Sequence, residues 1–165
     1  MANLFGNNLA NNLTGGAAAD NIFGAGGNDI LNRGGGNDNI YGDSGNDLLN
    51  GGAGLDFMYG GEGDDSLNST EGGNDNLFGG IGNDVYQVNT TTDNLVEGVD
   101  RGIDIVRSSV SYTLNANVEN LVLTESANIN GTGNGLGNQI TGNSGNNTLN
   151  GLGGNDTIHY WRCWQ

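Results

Sequence analysis

The sequence predicts an all-β solenoid: a flattened coil of short strands, each turn stacked in parallel on the one before. Three observations carry that expectation. The chain repeats itself every nine residues. Of its 165 residues 33 are Gly and none is Pro, and each repeat ends in a triplet with an apolar centre. Only 34% of residues are apolar and the formal charge is −15, a composition that without periodicity would indicate disorder. Periodicity changes the reading to a conditionally folded repeat array.

From Gly24 the units are GAGGNDILN, RGGGNDNIY, GDSGNDLLN, GGAGLDFMY and GGEGDDSLN. A ten-residue unit, STEGGNDNLF, then carries one insertion and is followed by GGIGNDVYQ. Two weaker units, GNNLANNLT from Gly6 and GGAAADNIF from Gly15, precede them. The Gly-rich first five places turn the chain where a Cβ would clash, and the last three places form a short strand. Two turns and two strands close one revolution in eighteen residues. The eighth place (Leu13, Ile22, Leu31, Ile40, Leu49, Met58, Leu67, Leu77 and Tyr86) points inward as a thin apolar core. Pro is absent because each strand residue must donate to the neighbouring ladder.

The sixth place is acidic in eight successive units: Asp20, Asp29, Asp38, Asp47, Asp56, Asp65, Asp75 and Asp84. Residues eighteen apart lie one above another, so Asp29, Asp47 and Asp65 line one edge of the coil and Asp20, Asp38 and Asp56 the other. The insertion near Ser69 makes the next steps nineteen, Asp56 to Asp75 and Asp65 to Asp84. At a strand spacing of about 4.8 Å, two carboxylates repel by about 3–4 kcal/mol at an effective dielectric near 20. A cation between turns removes that opposition. Calcium fits better than magnesium because it accepts six to eight oxygens in flexible geometry. Asp43 and Asp64 fall outside the sixth place and are expected to be solvated. The alternative for each sixth-place Asp is a turn residue that caps its own loop.

At these residues the chain resembles the RTX, or repeat-in-toxin, calcium-binding nonapeptide family. The resemblance implies a right-handed parallel β-roll with two short strands per eighteen-residue turn. It also implies calcium ions held between turns by sixth-place Asp side chains and by loop carbonyls at the second and fourth places. Carried onto this chain, the carbonyl donors are Gly34, Gly36, Gly45, Gly52, Gly54, Gly61, Gly63, Gly80 and Gly82. Roughly five to seven ions are expected, and Asn11 at the sixth place makes the first turn a weak site or none. The family further implies a secreted, extracellular protein that passes type I export machinery and folds outside.

After residues 1–87 the texture changes. Strands are expected at VYQVN from Val85, twice or more within Leu95 to Leu114, and at NVENLVLT from Asn117. Together they make residues 88–130 a longer-rung β segment continuing the stack. Glu97, Asp100, Asp104 and Glu119 obey no nine-residue spacing and read as a solvated face, within reach of Arg101 and Arg107. Residues 131–159 carry the repeat faintly, with Asn138, Asn147 and Asp156 at the sixth place and Ile140, Leu149 and Ile158 at the eighth. Asn turns can stack through amide hydrogen bonds without metal, so Asp156 is the one candidate ligand there. The irregular tail 160–165 reads either as a cap in which Trp161 and Trp164 cover the core, or as a fragment edge or frame-altered end. The second is preferred.

Composition also excludes. Four Arg and no Lys against 19 acids exclude nucleic acid and anionic membrane as partners. No stretch is long enough to span a bilayer, and no basic start with an apolar run marks a signal peptide. Cys163 has no second thiol and His159 is the single histidine, so no nucleophile–base pair in a shielded pocket is expected and the chain is not read as an enzyme. Gly-x-Gly strings lack the helix that a phosphate site requires. Two functions remain: a calcium-responsive folding module of an exported protein, or a calcium-stabilised module that binds glycans or a surface. For the second, the outward residues Asn32, Tyr41, Asn50, Tyr59 and Asn68 alternate Asn and Tyr in a way that suits sugar contact. The parent could be a larger protease, lipase or toxin.

Overall fold

The computed structural model describes residues 1–99 and 101–161. Among them the chain forms eighteen strands, β1 to β18 in chain order, and no helix. One face carries β1 (Asn3–Phe5), β3 (Asn21–Phe23), β5 (Asn39–Ser44), β7 (Phe57–Glu62), β9 (Asn76–Ile81) and β11 (Asn94–Val96) in that order. A second, nine-stranded sheet carries β2 (Asn12–Thr14), β4 (Ile30–Asn32), β6 (Leu48–Asn50), β8 (Ser66–Asn68) and β10 (Val85–Val88). It continues through β12 (Ile105–Ser108), β14 (Asn120–Leu123), β16 (Gln139–Thr141) and β18 (Thr157–His159). Beyond β11 a three-stranded sheet forms from β13 (Tyr112–Thr113), β15 (Gly131–Thr132) and β17 (Leu149–Asn150). Strands alternate between sheets and every pairing is parallel, so the chain is a β-solenoid with one turn per strand pair.

Register confirms the repeat arithmetic. Asn21 pairs Asn39 and Ile30 pairs Leu48, a step of eighteen. The insertion at Ser69–Thr70 lengthens the turn by one, and Phe57 pairs Asn76 while Ser66 pairs Val85. The second half joins the same stack with uneven rungs: Val85 pairs Ile105, Ile105 pairs Asn120, and Asn120 pairs Gln139. Rungs there are twenty, fifteen and nineteen residues by those pairings, so turn length varies rather than growing uniformly.

Eighth-place side chains from both sheets meet inside. Ile22, Leu31, Ile40, Leu49, Met58, Leu67, Leu77 and Tyr86 are fully buried, and Val106, Leu121 and Ile140 extend the row. The outermost members, Leu4 and Leu13 at one end and Leu149 and Ile158 at the other, are only partly covered. Trp161 is largely exposed and does not seal the far end; Cys163 and Trp164 lie outside the described residues. The fourth place is where glycine is required: Gly54 has φ of 138°, and a Cβ there would overlap the Gly36 carbonyl of the turn below.

The Asn–Tyr alternation of the sequence resolves into two separate ladders, because successive units fall on opposite sheets. Tyr41 and Tyr59 join Phe5, Phe23 and Phe78 in one stack with ring centroids 4.6–5.2 Å apart and planes within 8° of parallel. Asn32, Asn50 and Asn68 stack on the other sheet, Asn50 Nδ2 donating to Asn32 Oδ1 at 2.7 Å and Asn68 Nδ2 to Asn50 Oδ1 at 3.2 Å. Within the stack each ring face is covered by the next ring, with Phe5 exposed at its end, so the alternating Asn–Tyr face expected from the sequence is not present on either sheet. Strand spacing dictates this, since identical faces recur at about 4.8 Å.

Candidate metal centre

The turn glycines bring the sixth-place carboxylates inside the two edges of the coil, where all eight are buried. In both columns Oδ1 is committed to the backbone, accepting the N–H of the sixth-place residue one turn earlier. Asp38 thus receives Asp20 N–H at 2.7 Å, Asp56 receives Asp38 at 2.8 Å and Asp75 receives Asp56 at 2.9 Å. On the opposite edge Asp47 receives Asp29 at 2.7 Å, Asp65 receives Asp47 at 2.8 Å and Asp84 receives Asp65 at 2.8 Å. Asn11 N–H donates to Asp29 at 2.7 Å, so the first turn on that edge offers an amide in place of a carboxylate.

The second oxygen is what the ladder leaves over. Among the described residues, Oδ2 of Asp29, Asp38, Asp47, Asp56, Asp65, Asp75 and Asp84 is buried with no hydrogen-bond partner. A buried, unpartnered carboxylate oxygen costs several kcal/mol, and seven of them in register would oppose the fold. The oxygens around them are carbonyls. A Cβ on Gly24 would meet both Asp29 Oδ2 and, at 2.7 Å, the Gly42 carbonyl; one on Gly60 would meet Asp65 Oδ2 and, at 2.6 Å, the Gly79 carbonyl. On the edge of Asp29, Asp47 and Asp65, first-place carbonyls therefore join the site, in addition to the second- and fourth-place carbonyls that the family resemblance implies. Of the latter, Gly36, Gly45, Gly52, Gly54, Gly61, Gly63, Gly80 and Gly82 all take φ between 77° and 139° in the loops of the two edges, whereas Gly34 does not; it lies against the Gly16 carbonyl. An all-oxygen, carboxylate-rich donor set with flexible geometry fits calcium.

Electrostatics agree. Burial, aided by neighbouring carboxylates of the same column, raises Asp56 to about 6, Asp65 to about 7, Asp75 to about 7 and Asp84 to about 6. Asp20 is the exception and moves down, because the Gly16 and Ala2 N–H groups bond its carboxylate and the N-terminus and Arg33 are near.

Both columns run further than the repeats suggest. Asp93, just before β11, continues one edge, receiving Asp75 N–H at 3.1 Å, and Asp104 continues the other, receiving Asp84 N–H at 2.9 Å. Asp104 N–H in turn donates to Glu119 Oε2 at 2.8 Å. The expectation of a solvated face is thus overturned for Asp104 and Glu97, both of which are buried; Glu119 is half-buried, and Asp100 lies outside the described residues. A signal for the two aspartates is present in the sequence: Asp93-Asn94-Leu95 repeats the acid–x–apolar end of a unit in strict register, nine residues after Asp84 and eighteen after Asp75, and Asp104-Ile105-Val106 repeats it displaced by a changed turn length, twenty residues after Asp84. Among the described residues neither Arg101 nor Arg107 forms an ion pair.

Glu97 enters from the loop after β11 and meets Asp84 and Asp104. Oxygens of the three carboxylates lie within 4.8 Å of one another. The Tyr86 hydroxyl donates to Glu97 Oε1 and accepts Gly79 N–H at 2.7 Å, which explains a tyrosine at an otherwise aliphatic core position. Burial, with Asp104 and Asp84 close by, raises Glu97 to about 8.

The Asn turns satisfy themselves. Asn138 Nδ2 donates to the Val118 and Glu119 carbonyls at 3.1 and 3.2 Å, Asn147 Nδ2 to Ile129 at 2.7 Å, and Asn143 Nδ2 to Thr124 and Ala127 at 2.9 and 3.0 Å. Asp156 is half-buried and accepts Asn138 N–H at 2.9 Å, with no carboxylate one turn before it. Asp43 and Asp64 are exposed, as expected.

A family model for the RTX calcium-binding nonapeptide repeat matches the chain in four copies, at residues 5–40, 34–67, 69–86 and 132–162. The chain belongs to the RTX calcium-binding nonapeptide repeat family. No curated protein and no solved structure matches it. The RTX match includes the Asn turns, so the repeat geometry extends past the stretch where carboxylates dominate. Between its third and fourth copies lie β11 to β14, where Asp93, Glu97 and Asp104 extend the RTX columns with residues outside the matched repeats.

Proposed function

We propose that this chain is a calcium-triggered folding module of an exported protein, carrying no catalysis of its own. The observation that supports it is the double column of buried Oδ2 atoms without partners, from Asp29 to Asp84. At cytosolic calcium the columns stay empty and the folded state carries uncompensated charge. Extracellular modules work at about 10⁻⁴–10⁻³ M calcium, where binding to the folded state alone stabilises it by mass action. Nearest-neighbour stacking makes the response cooperative. Secretion through type I machinery and an extracellular destination follow from this reading as part of the same proposal.

Ligands in this reading are Asp29, Asp38, Asp47, Asp56, Asp65, Asp75 and Asp84 with the loop carbonyls, and Glu97 and Asp104 beside Asp84 at the end of one column. Circular dichroism during a calcium titration, with magnesium as control, tests it. The expected result is an unfolded spectrum in chelator and parallel β structure at millimolar calcium but not at millimolar magnesium. A β spectrum of equal intensity in chelator would refute the proposal.

A further inference from the structure

Arg33 stands at the first place of its unit, where Gly24, Gly42, Gly51, Gly60 and Gly79 stand in others. A glycine there leaves room beside the sixth-place Oδ2; Arg33 fills it. The guanidinium is wholly enclosed, with Nη1 3.5 Å from Asp38 Oδ1 and 3.8 Å from Asp20 Oδ2. Nη2 donates to the Asn39 carbonyl at 2.8 Å. A Cβ on Gly15 would lie 3.1 Å from Arg33 Nη1 and 3.3 Å from Asp20 Oδ2. In the corresponding place one unit on, a Cβ on Gly24 would meet Asp29 Oδ2 and the Gly42 carbonyl. Positive charge from the chain itself thus occupies the space between two turns where, at Gly24, Gly42 and Gly60 of the opposite edge, carboxylate and carbonyl oxygens converge.

We infer that Arg33 is a tethered counter-ion that takes the place of the calcium between Asp20 and Asp38, so that this rung closes without metal and excludes it. The inference rests on the calcium reading of the columns. Burying a guanidinium is tolerated where carboxylates surround it: Nη2 is hydrogen-bonded, Nη1 and Nε have no hydrogen-bond partner, and the charge of Asp20 and Asp38 offsets the burial, while a second cation in the same space would meet like charge at contact distance. Asp38 keeps an unpartnered Oδ2 for the ion it shares with Asp56. Asp20, with its second oxygen held by Gly16 N–H at 3.1 Å and by Arg33, does not need one. A metal-independent rung beside metal-dependent ones gives the array a fixed place at which stacking begins, since each turn is stabilised only by its neighbours.

The test uses the full chain. Calorimetric calcium titration of R33G should show one more ion bound than the parent, because glycine reopens the position between Asp20 and Asp38. Hydrogen exchange of the parent in chelator, at the osmolyte concentration that begins to induce β structure, should show amides of residues 20–41 at least about tenfold more protected than those of residues 47–68, with the difference lost in R33Q. An unchanged ion count in a folded R33G would overturn the inference. So would equal exchange of the two segments in the parent, which needs no variant to fold. A parent that binds no calcium at all would instead overturn the calcium reading.

Discussion

Asp65→Asn should move stability in opposite directions with and without calcium. Asp65 is buried, its Oδ1 takes the Asp47 N–H at 2.8 Å, and its Oδ2 has no partner. Burial and the flanking Asp84 and Asp47 raise its carboxyl from 3.8 to about 7. At pH 8 the ionised group therefore costs the metal-free fold about three pKa units, or about 4 kcal/mol at 1.36 kcal/mol per unit. An amide of the same shape removes that cost but adds its own burial, about 1–3 kcal/mol if incompletely bonded. The metal-free fold gains about 1–3 kcal/mol on balance. With calcium the same change deletes a charged ligand, and the calcium midpoint should rise about tenfold or more, since each 1.4 kcal/mol is a factor of ten. In chelator at pH 8, the osmolyte concentration that induces the β spectrum should fall for D65N, because excluded osmolytes favour the buried state. A D65N chain harder to fold in chelator would refute the reasoning, since it would make the carboxylate a net stabiliser without metal. An unmoved calcium midpoint would remove Asp65 from the ligands.

Two further outcomes follow from the columns. Asp56, Asp65, Asp75 and Asp84 are raised to between about 6 and 7 in the fold, so between about pH 4 and 7 the folded form binds more protons than the unfolded chain and its stability falls as pH rises. In chelator, lowering the pH from 8 to 5 should therefore increase β structure by circular dichroism, and a flat response would show that the carboxylates are already neutralised by other means. Glu97→Gln, beside Asp84 and Asp104, should weaken binding of one ion by about tenfold in a calorimetric titration while leaving compactness in chelator unchanged or increased; full retention of every site would exclude Glu97 as a ligand.

The strict period makes the fold legible where turn length is constant. From Gly15 to Gln87 the eighth-place core, the parallel stack and both Asp columns follow from counting, because one residue of slippage would bring polar side chains into the core. Counting fails where rungs change to twenty and fifteen residues. Asp104 and Glu97 then fall out of register with the repeats, although the acid–x–apolar triplet at Asp104 still marks a strand entrance. Glu97 carries no local signal at all. It becomes part of the site only because Tyr86, a core residue eleven positions earlier, turns its hydroxyl toward it. Arg33 is readable as a break in the glycine column, but its enclosure depends on how much room a missing glycine leaves, which sequence does not state.

The two halves of the roll solve one backbone problem with opposite chemistry. A solenoid edge collects carbonyls and sixth-place side chains from successive turns, and something must donate to them. In the Asn turns the donors are covalent parts of the chain: Asn138 and Asn147 carry both an acceptor for a loop N–H and an NH₂ for the carbonyls of the turn below. Asp in the same place keeps the acceptor and discards the donor, so each Asp turn is left with oxygen facing oxygen. That difference of one functional group converts a self-sufficient rung into one that needs a cation. At the ends of one column the chain again provides the missing partners: Arg33, ion-paired with Asp20 Oδ2 at 3.8 Å, and Ser69 Oγ, which donates to Asp93 Oδ2 at 2.8 Å. In the proposed reading, dependence on calcium is therefore confined to the turns between these closures and to the opposite edge down to Asp84, Glu97 and Asp104. It is set by which sixth-place residues are Asp, independently of the apolar row that all the turns share.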